Sequence, residues 1–162
     1  MAMNPEFARV AKVEEHDAID ALLRLAFGRA HEARLVRDLR ATGVMEVEMV
    51  LPWEGEILAY LALSRLIAPA GWWVLAPVAV KPQWHGTRLG TRLVTGAMRL
   101  MTIRQTTVVV LGKPSFFERC GFSCARVTGV RGPDDAAKLM IARSGHDVPD
   151  EALVYPAAFA GM

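Results

Sequence analysis

The spacing of apolar residues changes along the chain, and each change marks an element. A short apolar run from Val10 to Val13 predicts a first strand. From Asp17 to Phe27 the period is helical, with Ile19, Leu22, Leu23 and Ala26 on one face and Gly28 as the stop. His31 to Thr42 repeats it with Leu35, Val36 and Leu39 inward and Gly43 at the end. Arg34, Arg37 and Arg40 fall about one turn apart on another face of that helix and predict a solvated basic surface. The period then drops to two. Met45 to Leu51 alternates with Glu46 and Glu48, which predicts a half-exposed strand. Pro52 to Glu56 supplies a turn, and Ile57 to Ile67 returns as a more buried strand, ended by Ala68-Pro69-Ala70-Gly71.

The middle of the chain reads as a strand, a loop and a helix. Trp73 to Val80 is nearly all apolar, as a strand covered on both faces would be, and Pro77 within it predicts a bulge or an unpaired position. After a turn at Lys81-Pro82, Gly86 and Gly90 bracket a loop, and Leu89, Leu93, Ala97 and Leu100 recur at helical spacing. A loop that runs into a helix start presents unpaired N–H groups and the positive end of the dipole, so this stretch suits an anion such as phosphate. Thr106 to Leu111 is a β-branched buried strand, and Ser115 caps a short helix that runs through Arg119. Phe122 to Val127 and Lys138 to Ala142 predict two more strands around a polar loop, Gly129 to Asp135. Val148 to Met162 is a largely apolar tail, expected to pack on a sheet edge or on a partner copy, which leaves a homodimer open. The whole is one α+β domain over residues 1–162, with neighbouring antiparallel strands first and a strand–helix–strand crossover in the middle.

Composition narrows the function. With 52% hydrophobic and 22% charged residues, the chain is a folded domain rather than a disordered one. A net charge of +2 is too mild to argue for nucleic acid as partner. No apolar run reaches the length of a membrane span and no secretory signal is evident. Cys120 and Cys124 have no metal-type pairing, so no metal is expected, and a reducing cytoplasmic setting fits them.

Four stretches in order resemble one family. Leu75-Ala76-Pro77-Val78-Ala79-Val80, then Pro82 and His85-Gly86-Thr87-Arg88-Leu89-Gly90, is similar to the acyl-coenzyme A loop of the GNAT superfamily of N-acetyltransferases. Val110 to Phe122 resembles its second signature, and Glu32 to Arg40 and Val154 to Phe159 resemble a small bacterial subgroup. The resemblance implies a mixed, mostly antiparallel twisted sheet that splays beside the bulged strand and is flanked by helices. It also implies acetyl-coenzyme A as cosubstrate and a small-molecule or protein amine as acceptor. The backbone of Val78, Ala79 and Val80 would pair with the pantetheine arm. His85, Gly86, Thr87, Arg88, Leu89, Gly90 and Thr91 would hold the pyrophosphate, and Phe117 would lie beside the thioester.

The loop and the short helix each depart from the family pattern. Arg88 stands where the first signature glycine is usual, and His85 replaces the loop's first residue. Phe117 stands where a tyrosine usually gives a proton to the leaving thiolate.

Acetyl transfer to an amine needs a neutral nitrogen, an oxyanion donor and a proton for sulfur. By resemblance, the oxyanion donor is a backbone N–H near Val80. Glu46, Glu48 and His85 are the candidate bases beside water, with His85 better suited to serving the loop. Cys120, Ser115, Tyr60 and Tyr155 are the candidate acids, although a partly buried cysteine is by default packing. Trp72, Trp73 and Trp84 read as core or as acceptor-pocket walls, and His16, His31 and His146 as surface or capping residues. The two departures also suit an acyl-coenzyme A binding or sensing protein with impaired turnover.

Overall fold

The computed structural model describes residues 7–133 and 138–160. β1 (Arg9–Val10) is shorter than its apolar run, and Val13–Glu15 curl into a 3-10 turn instead. The cause is Glu15, whose carboxylate accepts the Lys12 N–H at 2.8 Å and is gripped by Arg9 at 2.8 Å. α1 (His16–Phe27) and α2 (His31–Ala41) follow as the helical period requires, burying Ile19, Leu22 and Leu23 and then Leu35, Val36 and Leu39.

β2 (Met45–Trp53) and β3 (Glu56–Arg65) form a hairpin whose turn is tighter than Pro52 to Glu56. Pro52 and Trp53 still pair with Ile57 and Glu56. Only Glu54 and Gly55 remain for the turn, at φ +48° and +78°, the left-handed pair that a two-residue hairpin requires. Then come β4 (Trp73–Val80), α3 (Leu89–Arg104), β5 (Val108–Leu111) and α4 (Pro114–Arg119). Pro114, not Ser115, opens α4: Lys113 is the residue before the first turn, and proline at the first helical position forfeits no bond.

The strand expected over 122–127 does not form. Ser123 makes a single bridge to Ile141, and Ala125–Val127 turn away while Arg126 donates to the Arg143 and Asp147 carbonyls at 2.7 and 2.9 Å. Within the expected polar loop, β6 (Val130–Arg131) pairs in parallel with β8 (Glu151–Ala152), while β7 (Leu139–Ala142) joins the main sheet. Asp134, Asp135 and the last two residues of the tail lie outside the described residues.

Among the described residues, six strands pair in the order β1-β2-β3-β4-β5-β7. β1 to β4 are antiparallel neighbours, and the β4–α3–β5 crossover is parallel. One face packs Leu51, Leu61, Leu63 and Leu75 against Leu89, Leu93, Ala97 and Met101 of α3. The other packs Val50, Tyr60, Ala62 and Ala79 under Ile19, Leu22, Leu23 and Val36. The tail completes that second face within the chain: Leu153 joins Trp72, Val74 and Val109, and Val154 exchanges backbone hydrogen bonds with Ile67 and Ala68.

Two irregularities in β4 shape the sheet around its carboxyl end. Leu61 pairs with Val78 and Leu63 with Leu75, so Ala76 and Pro77 form a bulge. On its other side β4 pairs with β5 only at Trp73 and Val74, so the strands part from Leu75 onward.

Candidate active site

The parting of β4 from β5 opens the sheet where α3 begins. Lys81 donates its N–H to Leu58 of β3, so by strand alternation the backbone groups of Val78 and Val80 point away from β3, into the gap. His85 occupies one of them: its Nε2–H donates to the Val80 carbonyl at 2.8 Å, which fixes the loop against the strand end. The N–H of Val80 and both groups of Val78 still face the gap, where among the described residues no strand pairs with them.

Beside them is a groove of about 860 Å³ at the start of α3. The first turn of α3 has N–H groups without intrahelical acceptors, and no side chain caps them. Lys113, Arg88, Arg119 and His85 line the groove, and among the described residues no carboxylate does. Gly90 lets the helix come this close, since a Cβ there would sit 3.3 Å from Val80 and 3.4 Å from the Phe116 ring. Arg88, immediately before the helix, has φ +67°, a left-handed backbone that strains any side chain. Exposed donors, cationic walls and unpaired strand edges together fit a long ligand with an amide-bearing arm and a phosphate end.

A second cavity, about 1110 Å³, lies on the α1–α2 side of the sheet, and its walls come from β4, β5, α2 and the tail. The two cavities share Val78, Lys113 and Phe117, so they meet in the gap. Phe117 is held there by edge-to-face contacts with Phe116 and Phe122, at 4.9 and 5.7 Å. Gly112 makes room for it, since a Cβ at that position would lie 2.3 Å from the ring.

Most of the residues expected at the cofactor line the groove: Val78, Val80, His85, Gly86, Arg88, Leu89, Gly90, Thr91 and Phe117. Two do not. The Ala79 side chain packs under α1, so only its backbone belongs to the bulged strand, and the Thr87 hydroxyl turns back to the Trp84 carbonyl. Trp84 lines the groove, edge-on to Trp53 at 5.6 Å, with no hydrogen-bond partner for its indole N–H among the described residues. Trp72 and Trp73 pack in the core.

The candidate acids and bases fall elsewhere. Glu48 is taken up by Arg40 at 2.7 Å and by the Tyr60 hydroxyl at 2.7 Å, so neither Glu48 nor Tyr60 lines either cavity. Burial and the neighbouring Glu48 carboxylate push the Tyr60 hydroxyl far up. The expected solvated basic face holds at Arg34 and Arg37, both exposed, with Arg37 also bonding Asp20; it is corrected at Arg40, which is drawn into the ion pair with Glu48. Glu46 is exposed and paired with Arg65. Cys120 sits in a separate cleft of about 230 Å³ with Thr95 and Met98, and burial raises its thiol. Ser115 is exposed outside both cavities. Tyr155 turns its ring to the larger cavity and its hydroxyl is buried.

Sequence reasoning passed over two residues that the fold brings to the site. Lys113, which falls between the expected strand and the short helix, lines both cavities. Glu32, read only as part of a helical repeat, is 3% exposed and lines the larger cavity. An acidic residue on the inward face of an amphipathic helix was the signal available for Glu32. Among the described residues no cluster of His, Cys, Asp and Glu could hold a metal ion, and no helix is long and apolar enough to cross a membrane.

Comparison with known proteins gives the family and the fold. The family model for the acetyltransferase (GNAT) family matches residues 16–122. The uncharacterized N-acetyltransferase YhbS of Escherichia coli is 37% identical over 112 residues, covering 66% of this chain and 67% of that protein. YjhQ of the same organism, also an uncharacterized N-acetyltransferase, is 31% identical over 117 residues, covering 67% and 65%. A crystal structure of Escherichia coli YhbS in complex with CoA superposes with a TM-score of 0.82 at 27% identity, over 98% of this chain and 96% of that one. A Brucella melitensis GNAT acetyltransferase in complex with acetyl-CoA shares the fold, with a TM-score of 0.80 at 24% identity over 94% and 96%.

Proposed function

This chain belongs to the GNAT acetyltransferase family, and we propose that it moves an acetyl group directly from acetyl-coenzyme A to a primary amine, in the cytoplasm. The observation that carries the proposal is the meeting of two cavities at Val78, Lys113 and Phe117, one shaped for a phosphate-bearing arm and one for an acceptor. When bound, acetyl-coenzyme A supplies an activated thioester: an N–C bond forms, the C–S bond breaks, the nitrogen loses a proton and the sulfur gains one.

The chain's own residues do the rest. The α3 start from Gly86 to Thr91, with Arg88 and Arg119, holds the pyrophosphate end. Val78 and Val80 pair along the arm as a missing strand would, and the Val80 N–H supports the acyl oxygen. His85 keeps the Val80 carbonyl occupied and so positions the strand end rather than abstracting a proton. Phe117 excludes water from the junction and has no proton to give. Lys113 is the cation in place to stabilise charge on the departing sulfur.

The test is coenzyme A release from acetyl-coenzyme A across a panel of primary amines, with Lys113→Gln beside the wild type. The expected result is amine-dependent release, with kcat lowered about tenfold or more in the variant and KM for acetyl-coenzyme A little changed. The alternative is an acyl-coenzyme A sensor with impaired turnover, favoured by Phe117 at the junction. Tight binding without release on any amine would establish that reading instead.

A further inference from the structure

We infer that the acceptor is a primary amine on an apolar alkyl or aryl body, with its ammonium read by Glu32. This inference rests on the acetyl-transfer reading above. The larger cavity is walled by apolar side chains such as Leu35, Val74, Pro77, Leu153 and Phe159. Among the described residues its ionisable walls are Glu32 from the first turn of α2, Lys113 at the junction, and Tyr155, whose hydroxyl is buried.

A nearly buried carboxylate beside apolar walls is costly unless it meets a cation. Burial by itself would raise Glu32, but the bidentate grip of Arg29, at 3.0 and 2.5 Å, outweighs it and keeps the group ionised. Arg29 is half exposed and approaches from the rim, and each carboxylate oxygen retains a lone pair for a second donor. Such a carboxylate is a weak base and a good ammonium site: it binds the charged amine, which gives its extra proton to solvent water before the neutral nitrogen attacks. The apolar walls select what is attached to the ammonium. A polyamine or an amino sugar would strand its further charges or hydroxyls against them, whereas an alkyl or aryl body gains by burial.

The experiment titrates the full chain, loaded with coenzyme A, with phenethylamine and hexylamine, and in parallel with spermidine, glucosamine and hexanol. The two apolar amines are expected to bind about tenfold or more tightly than the other three, since hexanol lacks the charged hydrogen bond and the others lack the apolar body. Glu32→Gln should weaken the apolar amines roughly ten- to hundredfold and leave coenzyme A affinity unchanged. Arg29→Gln removes the rim partner and should hold amine affinity within about threefold, because the carboxylate then has the ammonium as its partner.

Equal weakening by the two variants would make Glu32–Arg29 a structural pair and overturn the inference. So would hexanol binding as well as hexylamine, a comparison that needs no variant to fold. Preference for octanoyl- over acetyl-coenzyme A with small polar amines would put an acyl chain in the cavity and overturn it as well. Failure of coenzyme A to bind would strike the acetyl-transfer reading, and the same amine titrations on the unloaded chain would still read the cavity.

Discussion

Arg88 shows one residue serving two opposed demands. Its φ of +67° costs a side chain conformational energy that glycine would not bear, while its guanidinium lines the groove that suits phosphate. Arg88→Gly therefore has two expected readouts. The unliganded melting temperature should change little, because relief of strain worth about 1 kcal/mol is offset by the extra freedom glycine gives the unfolded chain. Acetyl-coenzyme A affinity should fall roughly tenfold, the loss of one charge-assisted contact. Unchanged affinity in a calorimetric titration would show that Arg88 merely occupies the turn. This position was legible only through the family resemblance, which puts a glycine there; a helix start by itself favours an extended backbone. Glu48 was not. Its alternation with apolar neighbours reads as solvent exposure, and only the fold brings Arg40 and Tyr60 to it from eight residues before and twelve after.

That same group ties elements together. Glu48 on β2 joins α2 through Arg40 and β3 through Tyr60, away from both cavities. Glu48→Gln should cost about 3 kcal/mol in urea unfolding, the penalty of a part-buried arginine left without its counter-charge, and leave acetyl-coenzyme A binding as it was. A loss of kcat at unchanged stability would instead return Glu48 to the reaction.

At the amino-terminal end Arg9 of β1 clamps Glu15, and its hydrogen bond holds that carboxyl down at about 2, against an ordinary 4.5. A depressed carboxyl stabilises the fold above its unfolded pKa, and that stability is lost as pH falls through the folded one. The urea midpoint should therefore drop between pH 4.5 and about 2, and Glu15→Gln should flatten that part of the profile. The long elements were legible because each keeps one period for several turns or pleats. β6 and β8 were not, since two-residue strands have no period and are defined only by the partner they find.

On the scale of the whole molecule, one proline-marked bulge lies where two cavities meet. Pro77 signalled an interrupted strand, and the interruption coincides with the parting of β4 from β5 that lets two cavities on opposite faces meet. The tail bonds to Ile67 and Ala68 and walls the larger cavity with Leu153, Tyr155 and Phe159, while Val148 and Val154 stay exposed. The phosphate-suited end was readable as a local motif. The larger cavity was not, because α2, β4, β5 and the tail meet there from four separate parts of the sequence.

Whether the groove at the α3 start takes acetyl-coenzyme A decides the acetyl-transfer function. The direct measurement is the melting temperature of the full chain with acetyl-coenzyme A, plain coenzyme A and adenosine diphosphate. At a hundredfold excess over the dissociation constant, binding adds about 2.7 kcal/mol, which for a domain of this size raises the midpoint by roughly 5–10 °C. The expected order is a full shift for acetyl-coenzyme A and coenzyme A and a smaller one for adenosine diphosphate, which has the phosphates without the arm. No shift with any of the three at millimolar concentration would contradict the assignment of the groove and the acetyl-transfer function built on it.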